Sequence, residues 1–152
     1  MTPVDLVDAL ADELELATAQ FVYPAEHQPP KHISIYRQNI PREEFEVDSF
    51  YPFILVELLN FEDTPENSTA ALLLTFGTYG AERRGDSFWR EHLNLVENVR
   101  QYVQLNRTIG GKFILVPEIY CGMVERQSES FMYSNMFLRY YIGQLRPAIP
   151  QW

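Results

Sequence analysis

Between residues 4 and 21 the apolar positions Leu6, Val7, Leu10, Leu14, Ala17 and Phe21 recur at helical spacing, with Asp5, Asp8, Asp12, Glu13 and Glu15 filling much of the remainder. The pattern predicts an amphipathic helix with an acidic outer face. Thr2 can cap it through its side-chain oxygen, and Pro3 suits a first turn whose N–H has no helical partner. No Lys or Arg precedes Lys31. A solvated face is the ordinary reading of such a charge run, and a functional acidic surface is the alternative.

Tyr23 to Lys31, with Pro24, Pro29 and Pro30, reads as a stiff connector that cannot be helical throughout. His32 to Arg37 follows as a strand on its β-branched content. Residues 38–49 form a polar loop carrying Ile40, Phe45 and Val47, and apolar side chains in so charged a loop are expected to lie against something. Phe50 to Leu59 is a nearly continuous apolar run, as in a central strand covered on both faces, with Pro52 tolerable only near its start. Asn60 to Ser68 reads as an acidic turn-rich loop, and Thr69 to Gly80 as a second interior strand. Gly77 and Gly80 near its end permit a bend, a bulge or a close backbone approach.

Asp86 or Ser87 is a suitable N-cap for a second helix running to about Asn106, with Phe88, Trp89, His92, Leu93, Val96, Val99 and Val103 available for its buried stripe. Gly110-Gly111 reverses the chain. Lys112 to Val116 is a strand halted at Pro117, Glu118 to Glu125 another, and residues 131–143 a long last one. There Met132, Ser134, Met136, Leu138, Tyr140 and Ile142 share one side, and Phe131, Tyr133, Asn135, Phe137, Arg139 and Tyr141 the other. Both sides are rich in apolar residues, so both are expected to meet something. Residues 145–152 are extended by Pro147 and Pro150 and end on Trp152, which has little reason to sit in water.

Runs of three strands between helices imply antiparallel pairing. The expected fold is therefore α+β: a mainly antiparallel sheet of about five to six strands with two helices packed on it. A length of 152 residues gives a single domain over 1–152 with a Pro-rich tail. A 46% hydrophobic content allows a packed core without metal or disulfide staples. The net charge of -9 opposes attraction to DNA or an anionic membrane, both polyanions. Cys121 alone excludes an intrachain disulfide and points to a reducing compartment. With no basic n-region, apolar h-region or bilayer-length apolar run, the sequence reads as a soluble intracellular product.

Chemical sites are scarce. His27 and His32, beside Glu26, straddle a Pro-Pro kink that does not set two imidazoles on one side, so neither a metal nor a catalytic role is expected. His92 is expected to be a hydrogen-bonded structural residue, and Cys121 a small buried hydrophobe. Gly110-Gly111-Lys112 precedes a strand and lacks the remaining phosphate-loop positions. Glu43, Glu44, Glu46 and Asp48 read as a solvated loop. No catalytic, cofactor-binding or metal-binding residue is assigned, and the chain is not expected to be an enzyme. Arg83, Arg84 and Arg90 form the main basic cluster in an acidic chain. They serve either solubility or contact with the carboxylates of an identical neighbour in a head-to-tail ring.

The succession Ile33-Ser34-Ile35-Tyr36 and Ile40-Pro41, then Tyr51-Pro52-Phe53-Ile54-Leu55-Val56, Leu72-Leu73-Leu74-Thr75-Phe76-Gly77-Thr78-Tyr79, Trp89 and Asn94-Leu95-Val96-Glu97-Asn98-Val99-Arg100 resembles the tail terminator proteins of long-tailed bacteriophages. The similarity covers roughly residues 4–145. It implies a non-enzymatic α+β virion subunit, made in the host cytoplasm, that closes into a hexameric ring at the tail-neck junction. Its partners would be copies of itself, the tail tube protein and a head-completion or connector protein, with DNA passing through the lumen without specific binding and no membrane contact. The acidic excess suits such a lumen, with the first helix and residues 62–66 as candidate linings. Expected interface residues are Ile40, Phe45, Val47, Arg83, Arg84, Arg90, Phe131, Tyr133, Phe137 and Trp152. Another tail or neck subunit is the nearest alternative, and a small acidic ligand-binding domain or enzyme using His27, His32 and Glu26 a more distant one.

Overall fold

A computed structural model of the chain describes residues 2–23, 31–40, 51–80, 86–124 and 131–144. Helix α1 (Pro3–Thr18) opens with a complete capping box. Thr2 Oγ1 accepts from the Asp5 N–H at 3.2 Å, and Asp5 Oδ2 accepts from the Thr2 N–H at 2.8 Å. Leu6, Leu10, Ala11 and Leu14 form its fully buried stripe. Thr18 ends it, bonding back to the Leu14 carbonyl at 2.8 Å, so Phe21 lies beyond the helix. The expected connector then gives β1 (Val22–Tyr23) and β2 (Lys31–His32), a two-stranded antiparallel ribbon.

The main sheet begins with β3 (Ser34–Arg37), β4 (Phe53–Asp63) and β5 (Ser68–Tyr79). β4 is longer than its apolar run suggests. Asn60, Phe61, Glu62 and Asp63 belong to the strand rather than to a loop, because a bulge at Leu59 re-registers them against Ala71 to Ser68. Only Thr64 to Asn67 turn, closed by the Thr64 N–H to the Asn67 carbonyl at 2.8 Å. The second helix, α2 (Asp86–Leu105), is followed by β6 (Thr108–Ile109), β7 (Phe113–Leu115), β8 (Tyr120–Met123) and β9 (Phe131–Ile142). Gly110 and Gly111 take φ of 58° and 70°, the positive angles that a tight hairpin turn between β6 and β7 needs.

The strand order is β3-β4-β5-β9-β7-β6, with β8 joining β9 beside β7, giving seven strands among the described residues. Of these pairs only β3 with β4 is parallel and the rest are antiparallel. The expected α+β class holds. Both helices pack on one face, where Ile54, Val56, Leu72, Leu74, Phe76, Met136, Leu138 and Tyr140 meet the stripes of α1 and α2 in one core. The α2 stripe runs Phe88, His92, Leu95 and Val96, Val99, Val103. Trp89 and Leu93, expected within it, lie one position further round the helix and are 38% and 37% exposed.

Candidate functional site

The face of the sheet turned away from the helices carries the second apolar cluster. Ladder partners share a face, so the rung Phe53–Gly77–Tyr133 stands beside Tyr79–Phe131 at one end of the sheet. Tyr51 and Phe53 are buried there, with Tyr36, Ile40, Leu55, Tyr79, Phe131 and Tyr133 packed around them. The Tyr51 ring lies edge-on to Phe53 at 5.1 Å and against Phe131 at 5.1 Å, and Phe131 meets Tyr79 at 4.9 Å. Gly77 makes this possible: a Cβ there would stand 2.2 Å from the Phe53 ring. The Tyr51 and Tyr133 hydroxyls bond one another. Burial, then that bond, pushes the Tyr51 hydroxyl above the usual tyrosine range.

Further along the same face come Leu73 with Phe137, Ala71 with Arg139, and Thr69 with Tyr141. Ile114 pairs with Tyr141, and this rung is open to solvent, at 50% and 37% exposure. Among the described residues no helix covers this face.

The structure therefore brings Ile40, Phe131 and Tyr133 of the expected interface into one cluster, with Phe137 on the same face. Arg90 stands apart, exposed on α2, its guanidinium 4.5 Å from the centre of the Trp89 ring. Phe45, Val47, Arg83, Arg84 and Trp152 lie outside the described residues, as do His27, Glu26 and the acidic run from Glu43 to Asp48. Reading the sequence by runs rather than by alternate positions missed Tyr36, Tyr51, Phe53 and Tyr79. For Phe53 and Tyr79 the available signal was their place in the two-residue repeat of β4 and β5, whereas Tyr36 and Tyr51 lie on neither strand and join the cluster only through the tertiary fold.

The acidic face of α1 is largely engaged within the chain. Arg37, at the end of β3, meets Asp8 at 3.2 Å, Asp12 at 2.7 Å and Glu15 at 3.8 Å. Glu13 accepts from the Tyr102 hydroxyl at 2.6 Å, which pushes that hydroxyl up to about 12. Asp5 caps the helix. Glu62 and Glu66, at the end of the β4–β5 hairpin, are exposed and form no ion pair among the described residues.

On the helix face His92 is fully buried. Its Nδ1 lies 2.7 Å from Thr78 Oγ1 and its Nε2 2.5 Å from Ser134 Oγ, which donates to Met123 Sδ at 3.0 Å. That last bond makes Ser134 the acceptor of Nε2–H and Thr78 the donor to Nδ1, a satisfied neutral imidazole. Burial holds its pKa down at about 4. Cys121, expected to be buried, is exposed, because β8 pairs only on its β9 side among the described residues. His32 is exposed on the short ribbon, and among the described residues no group of three His, Cys, Asp or Glu side chains could hold a metal ion. No described helix is long and apolar enough to cross a membrane. No protein-family model matches the chain, and no curated protein matches it.

Proposed function

We propose that the chain is a structural subunit of a long-tailed bacteriophage, a tail terminator that closes into a homo-hexameric ring, ends the tail tube and joins it to the head connector. The observation that carries this reading is the asymmetric use of the sheet. The two described helices occupy one face, while the other bears the aromatic side chains Phe131, Tyr133, Phe137 and Tyr141 of β9, with Leu73 and Ile114 beside them. A face of this kind does its work by contact. It suits a subunit that docks on copies of itself and on a tube, with no bond-making step.

The resemblance in sequence to tail terminators supplies the particular assembly, the tail-neck location in the virion and the partners. On this reading Glu62 and Glu66 are better lumen candidates than α1, whose carboxylates are already engaged by Arg37, Tyr102 and the helix cap. Repulsion from the DNA phosphates there keeps the passing duplex off the wall.

The test is the mass of the purified chain with and without tail tubes. A ring complex on tubes is the expected result, and a monomer indifferent to tubes overturns the reading. Long cylinders of the chain alone in negative stain would make it a tube subunit instead.

A further inference from the structure

β7 and β8 both pair with β9, but at separated places: Leu115 with Tyr140, then Tyr120 with Phe137. Between them the Val116 N–H still reaches the Arg139 carbonyl at 2.8 Å, after which Pro117 has no N–H to continue the ladder. The chain leaves the sheet and returns at Tyr120. This detour leaves a cavity of about 300 Å³ lined by Val116, Glu118, Ile119, Tyr120, Phe137 and Arg139.

Arg139 is the distinctive group. Its side chain rises from the sheet face beside Phe137, with the guanidinium 5.8 Å from the centre of that ring. Among the described residues nothing accepts its five N–H donors and no carboxylate lies within ion-pair range. The chain carries 21 acidic residues, and Arg37 and Arg100 both hold carboxylates. Glu118, on the rim, does not reach it. A half-buried guanidinium flanked by apolar walls complements an oxyanion carried on an apolar body, and with Glu118 in the lining and a net charge of -9 on the chain a singly charged carboxylate is repelled less than a phosphate.

We infer that the cavity between Val116 and Tyr120 is a binding site for an organic carboxylate, with Arg139 taking the charge and Ile119, Tyr120 and Phe137 the body. The carboxylate comes either from a free small molecule or from an acidic side chain of a second copy, for which exposed Glu62 and Glu66 are available beside Phe61, which is 60% exposed.

Phenylacetate is a suitable probe, with benzyl alcohol as the uncharged control, followed by NMR of the full chain. Saturable shifts at Ile119, Tyr120 and Phe137 with phenylacetate and none with benzyl alcohol are expected. Binding should weaken at least tenfold in Arg139→Met, which keeps the packing on Phe137, and strengthen several-fold in Glu118→Gln, which removes a like charge. Absence of saturable shifts, or equal affinity in wild type and Arg139→Met, overturns the inference. Sedimentation then separates the sources. Self-association that phenylacetate dissolves and a Glu62→Gln/Glu66→Gln variant lacks identifies the second copy, whereas a monomer that saturates with the probe identifies a free ligand.

Discussion

His92 is the residue at which the core depends on pH. Its folded pKa of about 4 lies below the ordinary 6.5. On acidification the unfolded chain therefore takes up a proton first, and stability falls as pH drops from about 6.5 towards 4. The slope approaches 1.4 kcal/mol per pH unit and the total is roughly 3 kcal/mol. Urea unfolding from pH 7 to 5 should show that slope in wild type and a nearly flat line in His92→Gln. An equal slope in both would remove His92 as the cause. Tyr140 makes the opposite case. Its hydroxyl is fully buried with no hydrogen-bond partner among the described residues. Tyr140→Phe removes an unmet polar atom while keeping the ring, so stability should stay level or rise by about 1 kcal/mol.

At the scale of elements, α1 is set by its first turn more than by its charges. Thr2→Ala breaks the capping box and should cost about 1 kcal/mol. Arg37→Gln loses three exposed ion pairs and should cost less than that, since solvent screens pairs whose side chains are 41% to 68% exposed. Thermal unfolding of the two variants in low and high salt checks both the order and its origin, because only the Arg37 effect should shrink with salt. The capping of α1, the turn at Gly110-Gly111 and the Phe88, His92, Val96, Val99 and Val103 positions of the α2 stripe were legible in the sequence, because each follows a local rule acting within a few residues, whereas exposed Trp89 and Leu93 were included and buried Leu95 was missed. The extension of β4 to Asp63 was not. It depends on a bulge at Leu59 and on pairing across the hairpin, where acidic Glu62 and Asp63 are carried by Thr69 and Ser68. Cys121 failed for a related reason: burial on a strand depends on which edge the strand occupies, and edge position is a property of topology.

At the scale of the whole molecule, the sequence showed that both sides of β9 are rich in apolar residues but not that one would receive both of the described helices and the other neither. That choice is made by β5 and β9 together, whose common helix face joins Leu72, Leu74, Met136, Leu138 and Tyr140 in one layer. The two faces should therefore separate folding from assembly. Leu138→Ala opens a hole in a fully buried layer and should cost about 2–5 kcal/mol. Ile114→Lys with Tyr141→Ser changes a solvent-exposed rung on the opposite face, and the pair together should cost no more than about 1 kcal/mol. If the outer face is the contact surface, the order reverses for assembly. The outer double variant should remain a folded monomer that no longer forms a ring on tail tubes, whereas the folded fraction of Leu138→Ala should still join one. Urea unfolding and the mass of the tube-bound complex, measured on both variants, decide it: rings from the outer double variant at wild-type yield would place the contact elsewhere on the subunit.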